Sequence, residues 1–315
     1  NENRMRTLVP QVRLGSPDLD NFKYNMQGGF AGPNAQGARG VVLPLDDDAT
    51  EAIREVIWRE TLKRYEFARN MYDQAKTRAT VSVADEDKAP CFSDAPVEHY
   101  YEAPLAAGRQ KMDIKRAWEQ RLNEVSAVFK ACPELSEGSA SFSFQVLRTY
   151  FVNSEGSVVV QNRIATRVML MASLKAVDGM ELPLNRDYFA YTPDDLPDND
   201  RMIADARDMI KRLLALRDAP VADPYTGPAV LSGPASGVFF HEIFGHRLEG
   251  HRLKSGGQTF KKMVGEQVLP VEFQVYCAPL LKSYADTDLY GHYVYDDEGV
   301  KARRVDNVVN GVLKE

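Results

Sequence analysis

A chain of 315 residues and 35.3 kDa has room for one large or two ordinary domains, and with 44% hydrophobic and 27% charged residues it can bury a full core. Its net charge of −6, with Lys and Arg interspersed among acids, argues against nucleic-acid binding. Three scattered cysteines (Cys91, Cys132, Cys277) give no disulfide framework, and no apolar run approaches the roughly 18 residues of a membrane span.

The first residues, NENRMRTLVPQVRLGS, are not a signal peptide and enter a strand-like run at 6–13. The end, NGVLKE, stops in another such run, so both ends read as cuts through a longer protein that could have carried a targeting segment. Residues 26–40 are Gly-rich and polar, which favours loop; GxGxxG spacing is absent, so a phosphate cradle is not expected. Asp46, Asp47 and Asp48 precede a helical run over 49–78, where acids suit the helix start. There Ile53, Ile57, Tyr65, Ala68, Tyr72 and Ala75 predict a core-facing stripe. Residues 80–108, with Pro90, Pro96 and Pro104, read as loop with short pieces, and His99 as a surface or hydrogen-bonded histidine.

A second helix is predicted over 110–130, with Ile114, Trp118, Leu122, Val125 and Phe129 as its apolar edge. Residues 139–192 read as antiparallel sheet, with turns at Asn153–Gly156 and Asp178–Gly179. A third helix is predicted over 199–217. Strand, helix, helix, several strands and helix make an α+β order. Residues 218–237, rich in Pro, Gly, Ala and Asp, mark a domain boundary. It separates an N-terminal domain over 1–220, antiparallel sheet packed with long helices, from the start of a second, mostly β domain over 221–315. In the latter, 253–262 reads as a polar loop and 263–281 leans toward strand. The acids Asp286, Asp288, Asp296, Asp297 and Glu298 miss the EF-hand pattern and read as solvated loop; His292 stands as a candidate remote ligand.

Most of the chemistry concentrates in residues 239–252, FFHEIFGHRLEGHR. Three of the five histidines, His241, His246 and His251, lie there at five-residue intervals, with Glu242 directly after the first. Phe239, Phe240, Ile243, Phe244 and Leu248 give the segment an apolar body and predict that it is mostly buried. Neutral imidazoles suit zinc, and a neighbouring carboxylate suits a general base toward water. The competing reading is a buried polar cluster without a metal. In the common HExxH helix the histidines are four apart and share a face. Five residues advance roughly 500°, or about 140° out of alignment. Convergence of His241 and His246 therefore requires a π-bulge or a break in the helix, with Gly245 as the residue best able to permit it.

With these residues in hand, the chain resembles the TldD/PmbA family of zinc metallopeptidases. HEIFGHRLEG matches that family's HExxxHxxEG motif, and RTLVPQVRLGSPDLDNF, RTYFVNSEG and YDDEGVKARRVDNVVNGVLKE support it. TldD-type members carry the histidine motif and PmbA-type members have lost it, so the resemblance is to the TldD type. It implies zinc held by His241 and His246, and Glu242 as general base. It also implies a two-domain dimer, with itself or with a PmbA-like homologue, that hydrolyses small or unfolded peptides in the cytoplasm; an exported form stays open. The family's third ligand is a cysteine near the far C-terminus, and the VYCAP stretch around Cys277 does not look equivalent. Where the family often has Asp after the EG pair, this chain has His251, which could be a ligand, a partner of a ligand or a local substitution. Neither charge nor motif supports the DNA-gyrase connection described for the family. Two readings from different classes result: a zinc-dependent peptidase, or a catalytically silent partner subunit of a TldD/PmbA-like complex. A nucleic-acid-associated regulator is a third, disfavoured by the acidic balance.

Overall fold

The computed structural model describes residues 3–23, 40–81, 90–105, 110–250, 260 and 262–314. The Gly-rich stretch 26–40 and the polar loop 253–262 fall almost wholly outside the described residues, and His251 lies outside them. The chain is α+β. It forms two compact units and passes between them repeatedly. One unit holds Asn1–Ala95, Ala229–Tyr276 and Asp306–Glu315; the other holds Pro96–Pro228 and Cys277–Val305.

The first unit begins with four two-residue strands, β1 (Thr7–Leu8), β2 (Gly15–Ser16), β3 (Leu19–Asp20) and β4 (Val41–Val42). β1 pairs with β4 and β2 with β3, both antiparallel. Buried side chains tie these short strands together. The Leu14 N–H donates to Asn21 Oδ1 at 2.7 Å, the Phe22 N–H donates to Asp20 Oδ1 at 2.9 Å, and Arg13 Nε lies 3.5 Å from Asp20 Oδ2. The helix α1 (Thr50–Val81) comes next. Ala68 and Ala75 are buried, but Ile57 and Tyr65, expected in the core stripe, are exposed. The covered line instead runs through Ile53, Val56, Glu60, Arg64, Ala68, Met71 and Ala75. That line keeps unbroken helical spacing only by passing through two charged residues, whose aliphatic stems can be covered while their charges reach water.

In the second unit the chain forms β5 (His99–Tyr101), α2 (Gln110–Lys130), β6 (Glu137–Val152), β7 (Val158–Lys175), β8 (Glu181–Ala190) and α3 (Asn199–Arg217). β7 is the central strand. β6 runs antiparallel along most of its length, and β8 pairs with its second half. Beyond the end of β8, β5 takes the same edge in parallel register, His99 opposite Val158 and Tyr101 opposite Val160. The β-hairpin turns fall at Asn153–Gly156 and Asp178–Gly179, with Gly156 and Gly179 at positive φ. Alternation along β7 places Val168, Leu170, Ala172 and Leu174 on one buried face. Against that face pack Trp118, Val125 and Phe129 of α2 and Met202, Ala206, Met209 and Leu213 of α3, both at helical spacing. Trp118 stacks on Phe142 of β6 at 4.2 Å.

The parallel strand β5 is not legible as a strand in the sequence, because the three residues HYY carry no alternation to read. A polar network holds it instead. The Tyr100 hydroxyl donates to Glu102 Oε1 at 2.7 Å, and Glu102 Oε2 accepts from the Asn162 N–H at 2.6 Å. Hydrogen bonding to the Glu102 carboxylate, with burial second, pushes the Tyr100 phenol up to about 12. Because the folded state favours the neutral phenol, this contribution is fully present below the ordinary tyrosine value of about 10 and is lost as pH rises through the folded value. The urea midpoint of unfolding is therefore expected to fall across the window between those two values, and Tyr100→Phe to shrink that fall. Tyr188 and Tyr295 are raised as well, so the variant removes only part of it. A midpoint that stays flat across the window would contradict the assignment.

After α3 the chain returns to the first unit as α4 (Gly233–Ile243) and β9 (Val275–Cys277). In the second unit β10 (Ser283–Tyr284) and β11 (Thr287–Asp288) form a hairpin over Ala285 and Asp286, both at positive φ. It is anchored to the end of β8 by the Tyr191 N–H, which donates to Asp288 Oδ2, and the Tyr191 hydroxyl, which donates to the Leu289 carbonyl. Finally β12 (Val305–Val309) and β13 (Val312–Leu313) close over Asn310–Gly311, both at positive φ, and with β9 make a sheet of order β13-β12-β9. Asn-Gly between apolar runs is the signature of such a turn. Among the described residues no helix is long and apolar enough to cross a membrane.

Candidate metal centre

The helix α4 starts after Ser232 with Pro234 in its first turn, where a missing N–H costs nothing. It ends at Ile243. The next residue, Phe244, turns out of the helix at φ −117° and ψ −50°, though its N–H still donates to the Phe240 carbonyl at 3.0 Å. A short 3-10 turn, Gly245–Arg247, then completes the segment. The helix thus breaks between the two histidines, as their five-residue spacing demands.

At the break the irregular backbone falls on Phe244, and Gly245 is not sterically required. Gly245 has no positive φ, and a Cβ there would meet only the Phe240 carbonyl oxygen at 3.7 Å, an ordinary contact. Phe244, by contrast, is 6% exposed and packs on Phe260 at 5.2 Å between ring centres. It belongs to a cluster with Val308 and Leu313 of the β12–β13 hairpin. Phe240, one turn earlier, stacks on Phe273. Phe240 and Phe244 therefore fasten one side of the segment, with Phe244 buried where the 3-10 turn rotates away from the helix axis.

The rotation brings the imidazoles together. The His241 and His246 rings lie 4.5 Å apart between centres and cross edge-on at 70°. Glu242 sits at both: its Oε1 is 3.9 Å from His241 Nε2 and its Oε2 is 3.7 Å from His246 Nε2. One ligand atom from each of His241, Glu242 and His246 falls within 4.8 Å of the others. Two imidazole nitrogens at this spacing fit the donor chemistry of zinc, and the Glu242 carboxylate lies beside both. Among the described residues no other group of three His, Cys, Asp or Glu is so gathered. In the second unit His292 Nδ1 lies 3.0 Å from the Pro279 carbonyl, with its ring edge-on to Tyr191. Asp296 accepts from the Glu298 and Val300 N–H groups and forms a turn.

The segment is less covered than its composition predicts. His241 and Glu242 side chains are 64% and 60% exposed, while His246 is 20% exposed. Phe239 and Ile243 are exposed too. Among the described residues the segment packs through Phe240 and Phe244, on one side, and Phe239, His241, Glu242 and Ile243 are exposed. The sequence assigns no role to Glu249, whose Oε1 lies 2.7 Å from His246 Nδ1; its fixed place in the HExxxHxxEG pattern, three residues after His246, is the signal that marks it.

Residues 224–315 match the family model of the PmbA/TldA metallopeptidase C-terminal domain. Over these residues the chain is similar to the TldD/PmbA family. The match includes α4 and the whole His241–Glu242–His246 group. No curated protein matches the chain. Among solved structures, a Thermotoga maritima protein described as a modulator of a DNA gyrase shares the fold, with a TM-score of 0.51 at 16% identity over 78% of this chain and 54% of its own. A Bacteroides thetaiotaomicron protein, also described as a modulator of DNA gyrase, has a TM-score of 0.49 at 14% identity over 80% of this chain and 55% of its own. TldE from Thermococcus kodakarensis has 0.44 at 17% identity over 79% and 54%. The chain thus spans about half the length of these structures.

Proposed function

We propose that the protein is a zinc-dependent peptidase acting on small or unfolded peptides. The observation that carries this reading is the convergence of His241, Glu242 and His246 across a break in α4, within a stretch that matches a metallopeptidase domain. That match begins beside the boundary we take at residues 220–221 as the start of the metallopeptidase domain.

His241 and His246 would hold the ion through imidazole nitrogens. Zinc, when bound, supplies Lewis acidity toward water and the scissile carbonyl. Glu242, adjacent to both imidazoles, takes the water's proton and returns it to the leaving amine. A catalytic zinc site takes three protein ligands and leaves one position open; the third would come from outside the described residues. The outward aspect of His241 and Glu242 leaves room for an extended peptide to approach. The TldD/PmbA relationship suggests a dimer, with a second copy or a PmbA-like homologue.

The exposure of His241 and Glu242 also favours a second reading, a catalytically silent subunit with residual metal affinity. Peptide cleavage by the full-length protein separates the two. Under the peptidase reading, an unfolded peptide is cleaved, a chelator stops the reaction and added zinc restores it. Cleavage that survives complete removal of metal would sink the peptidase reading; no cleavage at stoichiometric zinc would favour the silent one.

A further inference from the structure

The contact between His246 and Glu249 has a direction. His246 Nδ1 lies 2.7 Å from Glu249 Oε1, while the opposite nitrogen, Nε2, points to Glu242 Oε2 at 3.7 Å. An ionised carboxylate only accepts hydrogen bonds, so Nδ1 is the donor and carries the proton. In a neutral imidazole the other nitrogen, Nε2, is then unprotonated and able to act as a ligand. Local structure supports the pairing. The 3-10 turn Gly245–Arg247 closes with the Leu248 N–H donating to the Gly245 carbonyl, and Glu249 follows directly after its C-cap, close enough in the chain to reach back to His246. Both partners are partly shielded, His246 at 20% and Glu249 at 35% exposure, which strengthens a charge-assisted hydrogen bond relative to one in open water. His241 differs: among the described residues it has no hydrogen bond to a carboxylate, and it is far more exposed.

We infer that Glu249 is a positioning residue: it fixes the Nδ1–H tautomer of His246 and aims Nε2 at the point shared with His241 and Glu242. This rests on the metal-site reading above and adds to it a division of labour between two carboxylates. Glu242 serves the reacting water, and Glu249 serves the ligand. A carboxylate behind a ligating imidazole raises its basicity and removes the rotational freedom it would otherwise lose on binding, which is worth about 10–100-fold in metal affinity.

The test uses isotope-labelled full-length protein stripped of metal, at a pH above the imidazole range, with His246 assigned through His246→Ala. Long-range proton–nitrogen correlation spectra are expected to show His246 protonated at Nδ1 and bare at Nε2. Glu249→Ala should move it to the Nε2–H form and weaken zinc binding, measured by competition with a chromophoric chelator, by roughly 10–100-fold. Glu249→Gln, whose amide oxygen still accepts, should keep the Nδ1–H tautomer and most of the affinity, which separates positioning from mere folding. An Nε2–H tautomer in the unmodified protein overturns the inference. So does a Glu249→Ala protein with tautomer and zinc affinity unchanged. If the unmodified protein binds no zinc, the proposed function fails, and the metal-free spectra still decide the role of Glu249.

Discussion

Glu242→Gln in the full-length protein is expected to lower peptide hydrolysis by about 10²–10⁴-fold, the range a positioned general base contributes, while zinc stays bound. Glutamine keeps the volume of the side chain and one carbonyl oxygen, so the neighbouring imidazoles lose no packing. The substitution removes the proton acceptor, 3.7 Å and 3.9 Å from the two Nε2 atoms in the unsubstituted chain. Turnover should fall with little change in apparent substrate binding, since the base acts on the transition state. Equal cleavage by the variant, with fold and metal intact, would remove Glu242 from the mechanism. If the variant instead loses its zinc, Glu242 is a ligand and the base lies elsewhere.

Phe244→Ala should have the largest effect on stability of the first unit, with a cost of roughly 3–5 kcal/mol for emptying a buried aromatic position. Among the described residues the cluster it leaves is small: Phe260, Val308 and Leu313, with partly buried neighbours such as Phe240 and Val275. Few residues remain to collapse into the space. The same side chain also sits at the break in α4, so its loss frees the helix to continue through residue 246. A regular helix would turn His246 about 140° away from His241. Hydrogen exchange along β12 and β13 should therefore speed up, and zinc affinity should fall together with it. Phe244→Leu, which keeps much of the buried volume, is expected to retain both. Normal zinc binding by a folded Phe244→Ala protein would show that something other than this ring holds the imidazoles together.

Much of the second unit is legible in the sequence because its signals are periodic and long. The alternation through Val168, Leu170, Ala172 and Leu174 places β7. The spacing of Trp118, Val125 and Phe129 places α2, and α3 occupies the predicted residues 199–217. Glycine turn signals bound the hairpins. In α1 the periodic signal misleads, because the covered face passes through Glu60 and Arg64, which a hydrophobicity pattern scores as outward. β5 escapes a sequence reading because three residues held by Glu102 and Asn162 carry no pattern of their own. The closing run predicts only a strand, yet its Asn310–Gly311 pair folds it into a hairpin, which the turn chemistry of Asn-Gly explains.

At the candidate site the legible part is geometric. Convergence of His241 and His246 at five-residue spacing requires a π-bulge or a break between them, and a break is present. Glycine chemistry points to Gly245 as the residue best able to permit it; Gly245 has neither a positive φ nor a crowded Cβ position, and the buried residue at the break is Phe244, clustered with Val308 and Leu313. That cluster joins residues more than sixty positions apart in the sequence, beyond the reach of local rules. The burial expected for the whole segment is also too broad. Composition reports how apolar a helix is and does not report how many of its sides are covered.

The central claim is that His241 and His246 hold one zinc ion between them. Elemental analysis of the full-length protein, reconstituted and freed of loosely bound metal, tests it beside His241→Ala and His246→Ala. Stoichiometric zinc in the unsubstituted protein and its loss from both variants is the predicted result. An absence of zinc after reconstitution, or equal zinc in all three proteins, would contradict it.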